Sequence, residues 1–314
     1  MSAATVPKVK FSNGRSMPRL GLGTYESLAG NVERAVKYAI DNGYRHIDTA
    51  FFYQNEKEIG NAISEKIKNG TVTREDLFIT TKIWNNSHAQ DKVVPMCRKS
   101  LANLGLDYVD LYLIHWPFGF QEGDELMPKD SNGKLLFSDI DFLDTWKGME
   151  ECVRLGLARS IGISNFNSAQ ITRLMAAATI KPVNNQVEVN VNFTQRPLIE
   201  FCKQQNITVT AYSPLGRPGN PNRVNTLDDP RIQTIARKYN KTSAQISLRY
   251  LYQLGVTPIP KSVTESRLKE NIDIFNFELT PEEVTTIDAV GDQKRIVRFE
   301  EAKEHKYYPF STTF

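Results

Sequence analysis

The chain has 314 residues, with 39 Lys plus Arg against 36 Asp plus Glu, a formal net charge of +3, 40% hydrophobic residues and 24% charged residues. That balance excludes disorder over most of the chain, and a basic surplus that is dispersed rather than gathered into a Lys/Arg block argues against a nucleic-acid partner. No run approaches the roughly 20 apolar residues of a membrane span, so one large globular domain or two smaller ones are expected, with no membrane partner.

In chain order, KVKFSNGRSMPRL reads as a hairpin turning on the two residues Asn13-Gly14. The start, MSAATVPKVKFSNG, lacks the apolar core and cleavage site of a secretory signal, which points to the cytosol. Strand-sized apolar runs then recur eight times: RLGLGT (19–24), RHIDTA (45–50), LFITTKI (77–83), VDLYLIHW (109–116), ARSIGISN (158–165), NNQVEVN (184–190), ITVTAYSPL (207–215) and VTPIPKS (256–262). They are rich in Val, Ile, Thr and Leu without polar alternation, the pattern of parallel strands buried on both faces.

Helical patterns lie between them, at 31–43, 56–70, 91–105, 142–156, 168–178, 197–206 and 231–240. Val32, Ala35, Val36 and Ala39 put one apolar stripe along the first. Gly43, Gly70, Gly105 and Gly156 stand where helices would end, and Pro95 is expected in the first turn of its helix. Cys97, Cys152 and Cys202 are odd in number and widely spaced, which fits reduced core thiols better than a disulfide frame or a metal site.

Eight strands alternating with helices, with no linker, predict an α/β fold: a single (β/α)₈ barrel over residues 1–314. The hairpin (1–18) would close the barrel floor. A Gly-, Asp- and Pro-rich insertion (117–141) follows the fourth strand and would overhang the mouth where barrel sites are built, and an aromatic-bearing tail (292–314) would cover the same mouth.

The strand ends deliver polar groups far apart in sequence: Asp48 with Tyr53 just beyond, Lys82, and His115. Together they suggest proton donation to a carbonyl oxygen. A phenol is a poor acid near neutrality, with an ordinary pKa of about 10, and a nearby ammonium favours its phenolate. Lys82 would play that part for Tyr53, Asp48 would keep Lys82 charged, and His115 would orient the carbonyl. Taken singly, Lys82 and Asp48 also read as an ordinary ion pair, Tyr53 as a packed aromatic and His115 as a satisfied core histidine.

The run GYRHIDTA (43–50) with Tyr53, Asn55, Glu56 and Gly60, then LGLDYVDLYLIHWP (104–117), GISNF (162–166) and IPKSV (259–263), resembles the aldo-keto reductases across nearly the whole chain. The aldose and aldehyde reductase branch, which includes hydroxysteroid dehydrogenases, is the nearest. The resemblance implies a nicotinamide cofactor lying across the barrel mouth and a catalytic tetrad of Asp48, Tyr53, Lys82 and His115. Tyr53 would be the general acid in carbonyl reduction and the hydride would come from the cofactor.

Lys261, Ser262, Thr264 and Arg267 surround the start of a short helix, where cations, hydroxyls and free amides suit a phosphate; this favours NADPH over NADH. The resemblance adds Val263 to this group, with Glu270 and Asn271 at the adenine. Ser164, Asn165 and Gln186 would hold the nicotinamide amide, Tyr212 would stack on its ring, and Ser213, Leu215 and Gly216 would meet the pyrophosphate. Gly21-x-Gly23 starts like a dinucleotide fingerprint, but Glu26 stands where its third glycine belongs. Those glycines are instead expected to let the backbone approach the cofactor, with Thr24 and Tyr25 beside it. No metal site is expected.

The substrate, a small carbonyl compound, would enter an apolar funnel of Tyr25, Phe52, Tyr53, Trp84, His115, Trp116, Met127 and Phe299. Such a lining suits aromatic or medium-chain aldehydes and flat ketones such as steroids. Tyr25 in place of the Trp common in aldose reductases, Asn190-Val191-Asn192 in place of His-Pro-Tyr, and the charged tail near Arg298 and Glu300 depart from the family pattern, and Tyr25 keeps sugars open as substrates. Two other classes stay open: a cofactor-binding auxiliary or structural barrel with little turnover, and a barrel enzyme acting on sugars through paired carboxylates, for which no strand-end pair stands out. A monomer is expected, as the family resemblance and the dispersed, near-neutral surface offer no evident interface.

Overall fold

Residues 6–27, 30–219 and 225–311 are described by the computed structural model. The part of the N-terminal reading that rests on residues 1–5, and residues 312–314 of the expected tail, lie outside them.

All eight expected strands form one sheet. They are β3 (Leu22–Gly23), β4 (His46–Asp48), β5 (Phe78–Ile83), β6 (Leu111–Ile114), β7 (Ile161–Ser164), β8 (Asn184–Glu188), β9 (Thr208–Tyr212) and β10 (Thr257–Pro258), after a hairpin of β1 (Lys8–Lys10) and β2 (Ser16–Pro18). β3 to β10 are parallel and ordered as in the chain. Every residue of β4 to β8 is buried, which is why these runs carry no polar alternation.

The first and last strands then meet. Gly21 N donates to Pro258 O and Gly23 N to Pro260 O, each at 3.1 Å, and Gly23 bridges Lys261 in parallel, so the sheet closes into a barrel. A Cβ on Gly23 would lie 2.7 Å from Ile259 O, and one on Gly21 would lie 2.6 Å from His46 Nδ1. The closing seam therefore demands Gly23, and the buried His46 ring demands Gly21.

The expected helices are α1 (Asn31–Asp41), α2 (Glu56–Lys68), α3 (Gln90–Leu104), α4 (Phe142–Arg154), α5 (Ser168–Ala177), α6 (Arg196–Gln204) and α7 (Pro230–Tyr239); the short helix after IPKSV is α9 (Glu265–Ile272). The stripe predicted on α1 is buried, with Ile40 added to it. Two helices were not assigned from sequence, α8 (Ser243–Gln253) and α10 (Pro281–Asp288). α8 is buried without a break from Gln245 to Leu251, so it has no stripe to find. The usable signals were its capping box of Thr242 with Gln245 and that of Thr280 with Glu283 before α10.

Two local expectations are corrected. Pro95 is the sixth residue of α3, in the second turn rather than the first, where it removes one intrahelical donor. The hairpin loop has three residues rather than two: Phe11 N donates to Arg15 O (2.8 Å) and Gly14 N to Phe11 O (3.0 Å). Its position is as expected. Phe11 and Met17 pack with Phe78, Leu111, Leu113 and Val183 at the starts of the strands, and Asn13 donates to Ser160 Oγ (3.0 Å).

At the other end, the segment between β6 and α4 folds back on itself through Phe120–Phe137 and Lys129–Leu135 bridges. The tail crosses it, with His305 Nε2 at 3.2 Å from Ser138 O and Tyr307 OH donating to Asp141 Oδ2 (2.9 Å). Trp84, Trp116, Phe118, Phe120, Leu135, Ala302 and Tyr308 form a separate apolar cluster where loop and tail meet over the strand ends.

Candidate active site

The site is assembled from the C-terminal ends of the strands. Asp48 ends β4, Ser164 ends β7 and Tyr212 ends β9; Lys82 and Gln186 are penultimate or central in β5 and β8, and His115 directly follows β6. Tyr53 ends a short turn of helix over Phe51–Tyr53, just past β4. Parallel pairing puts all of them on one rim.

Lys82 Nζ donates to Asp48 Oδ1 (2.6 Å) and to Thr49 O (2.9 Å), and lies 3.5 Å from Tyr53 OH. Gln186 Nε2 donates to the other Asp48 oxygen at 2.6 Å. Asn165 donates to His115 O (3.0 Å) and Ser164 Oγ (3.2 Å), and accepts from Tyr212 OH (2.7 Å). Thr24 Oγ1 donates to Asp48 O (2.9 Å), while Asn55 donates to Thr24 O (2.9 Å) and accepts from Thr49 Oγ1 (3.1 Å). The side chains expected to act are thus fixed by a second ring of polar contacts, as preorganised catalysis requires. His115 faces Tyr53 (5.7 Å between ring centroids) and Trp84 (5.0 Å), and its Nδ1 has no protein partner.

Burial dominates the electrostatics. It pushes the Tyr53 phenol well above its ordinary 10, with the charge of Asp48 adding to the rise. It lowers the Lys82 ammonium against the pull of Asp48, and it holds the His115 imidazole well below 6.5, helped by Lys82. The expected lowering of the phenol by Lys82 is therefore outweighed by desolvation, and both Tyr53 and His115 are uncharged at neutral pH.

These groups open into a cavity of about 1250 Å³ running from Trp84 and Met127 at one end to Arg267, Glu270 and Asn271 at the other. Gly23, Thr24, Tyr25, Asp48, Phe52, Tyr53, His115, Trp116, Ser164, Asn165, Gln186, Tyr212, Ser213, Leu215, Lys261, Ser262 and Phe299 also line it. Of the residues named from sequence, Lys82 sits behind Asp48 and Tyr53, while Gly216, Val263 and Thr264 are not on the wall; Val263 is exposed and Thr264 precedes α9. Sequence reasoning missed Arg217, Ile259, Pro260, Ile296 and Val297, which are on it. Arg217 follows directly on the 213–216 stretch, the one signal that pointed to it; its guanidinium lies 5.5 Å from the Tyr25 ring.

Among the described residues neither Lys261 nor Arg267 has an ion-pair partner, and Ser262 Oγ accepts from Thr264 N (3.1 Å) at the head of α9. Two free cations, a hydroxyl and a helix N-terminus at one end of the cavity suit a phosphate group. Polar Ser164, Asn165 and Gln186 beside the Tyr212 ring suit a planar amide at the other.

Comparison with known proteins agrees with this geometry. The aldo/keto reductase family model matches residues 19–292. A zebrafish (Danio rerio) aldo-keto reductase family 1 member A1-A is 47% identical over 92% of this chain and 91% of its own. The aldose reductase of Schistosoma japonicum superposes with a TM-score of 0.94 at 42% identity, covering 98% of this chain and all of that one. Bombyx mori aldo-keto reductase AKR2E4, solved in complex with NADP, gives 0.89 at 44% identity with the same coverage. By sequence, barrel closure and strand-end chemistry alike, this chain belongs to the aldo/keto reductase family.

Proposed function

We propose that this protein reduces aldehydes and ketones to alcohols with NADPH, with Tyr53 as the general acid. The observation that carries the reading is the cluster of Lys82, Asp48, Tyr53 and His115 at the base of a cavity whose far end holds the unpaired Lys261 and Arg267. Bound NADPH would supply the hydride. Lys261, Ser262 and Arg267 would hold its adenosine phosphate, with Glu270 and Asn271 at the adenine; Ser213 and Leu215 would meet the pyrophosphate, and Ser164, Asn165, Gln186 and Tyr212 would hold the nicotinamide.

Tyr53 keeps its proton at neutral pH because its hydroxyl is buried, so it has one to give when the substrate oxygen becomes basic. Lys82 then faces the oxygen that loses the proton; Asp48 and Thr49 O hold that ammonium in place, and Gln186 holds Asp48. His115, neutral, donates a hydrogen bond that orients the carbonyl without competing for the proton. Phe52 stacks on Trp84 at 3.8 Å, and Trp84 Nε1 donates to Leu126 O (2.6 Å), so this aromatic wall is fixed. That favours aromatic or medium-chain aldehydes and flat ketones such as steroids over sugars, the more so as Tyr25 is engaged by Arg217 and Glu26.

The whole chain, 1–314, is taken as one domain acting as a monomer, since one copy supplies every residue of the site. Buried free thiols at Cys97, Cys152 and Cys202 favour a reducing compartment such as the cytosol. The test is NADPH oxidation by the purified protein with aromatic aldehydes, aldoses and steroid ketones, with Tyr53→Phe alongside. Turnover should fall by about 10²- to 10⁴-fold in the variant. NADPH binding without turnover in either protein would replace this reading with that of an auxiliary barrel.

A further inference from the structure

We propose that Glu188 is a positioning residue that fixes the wall of the substrate cavity by pinning the C-terminal tail to the end of β8; this rests on the reductase reading above. Glu188 is the last residue of β8 and is fully buried. Its Oε1 accepts from Ile296 N (2.8 Å) and Asn190 Nδ2 (3.2 Å), and its Oε2 from Ile296 N (3.0 Å) and Val297 N (2.8 Å). A buried carboxylate is tolerated only where several donors converge on it. Here two of the three donor groups are backbone amides of the tail, some 108 residues further along the chain.

Those two amides belong to residues whose side chains line the cavity, and Phe299, two residues on, turns in at φ 53 to face Trp116 (5.2 Å between centroids) and Trp84 (6.4 Å). Further on, the tail is tied down again where Gln170 donates to Tyr307 O (2.9 Å) and Asn167 to Pro309 O (3.0 Å). Upstream, residues 292–294 are held by Asn192 and Thr194, outside the cavity. Beside the contacts of Arg295 with Gln195, Phe193 and Phe310, Glu188 thus takes both backbone amides at the point where the tail enters the wall. Among the described residues no hydrogen bond joins Glu188 to Asp48, Tyr53, Lys82 or His115; its charge is felt by its β9 neighbour Tyr212 on the cofactor side, while its effect on the substrate wall passes through Ile296, Val297 and Phe299.

The experiment uses the full chain with Glu188→Gln and Glu188→Ala. Hydrogen exchange at the amides of Ile296 and Val297 should accelerate at least tenfold in Glu188→Ala and less in Glu188→Gln, which retains one acceptor oxygen. KM for a small aromatic aldehyde should rise about tenfold in Glu188→Ala, with kcat within threefold of wild type and partial recovery in Glu188→Gln. Unchanged exchange at both amides would overturn the proposal, as would a fall in kcat matching the rise in KM. Glu188→Gln preserves volume and serves if Glu188→Ala does not fold. Should wild type turn over no carbonyl substrate, the reductase reading fails, while the exchange measurement still decides whether Glu188 holds the tail.

Discussion

Lys82 Nζ donates to Asp48 Oδ1 at 2.6 Å with both side chains closed to solvent, and the site's remaining polar contacts are arranged around that pair. Desolvation opposes both charges, and their mutual attraction offsets it. Removing one partner is therefore worse than removing both. Lys82→Met should destabilise the fold by about 3–5 kcal/mol by leaving the carboxylate buried and unpaired, and Asp48→Asn added to it should restore part of the loss. Urea unfolding of the two variants beside wild type measures the difference. A single variant as stable as the double would mean that the pair is not held ionised.

Cofactor choice follows from charge. Lys261 and Arg267 stand free at the α9 end of the cavity, where a phosphate on the adenosine ribose would meet both. A charge-assisted hydrogen bond contributes about 1.5–3 kcal/mol. Arg267→Ala should then weaken NADPH binding by about ten- to a hundredfold and leave NADH binding nearly unchanged. Quenching of Trp fluorescence on titration with each nucleotide gives both constants; equal weakening of the two would show that Arg267 does not read the phosphate.

Much of this was legible in the sequence because parallel barrel strands announce themselves twice, as continuous apolar runs and by the polar residue each presents at its end. Asp48, Lys82 and His115 could be placed on one rim from strand order alone. What stayed hidden depends on contacts between distant segments. α8 is buried all round and so lacks a stripe. Ile296 and Val297 line the cavity with their amides bonded to Glu188, a pairing that no local pattern records. The environment of Tyr53 is likewise only partly legible: a neighbouring ammonium is visible as a lysine in the sequence, but the desolvation that raises the phenol is a property of the closed barrel.

The glycine of the motif around Tyr53 has a packing role that can be tested. Gly60 lies in α2, where a Cβ would come within 2.4 Å of Leu104 O, the last residue of α3. Backbone cannot retreat there as a side-chain tip would. Gly60→Ala gains helix propensity, yet overpacking of this kind costs about 1–3 kcal/mol, so the net effect should be destabilising and visible as a lower thermal midpoint. An unchanged or raised midpoint would show that α2 and α3 separate freely.

Beside His115, two histidines that have no part in the chemistry should contribute to acid sensitivity. His88 is fully buried with neither ring nitrogen partnered, beside Gly119 and Ser138 under the overhanging loop; burial, helped by His305, lowers its pKa to about 3. His46 is likewise buried, 3.2 Å from Thr80 Oγ1, and burial lowers it to about 4 despite Asp48. Because both folded values lie below the ordinary 6.5, the unfolded chain takes up protons first. Stability is therefore complete above pH 6.5 and falls as the pH drops toward 4 and 3. At pH 5 each buried ring costs about 2 kcal/mol relative to pH 7, 1.5 pH units below 6.5 at 1.36 kcal/mol per unit. Replacing His88 with Gln removes one titrating group, so the loss of urea stability between pH 7 and pH 5 should be about 2 kcal/mol smaller in His88→Gln than in wild type. Parallel losses in the two proteins would mean that His88 is protonated as readily in the folded barrel as in the unfolded chain.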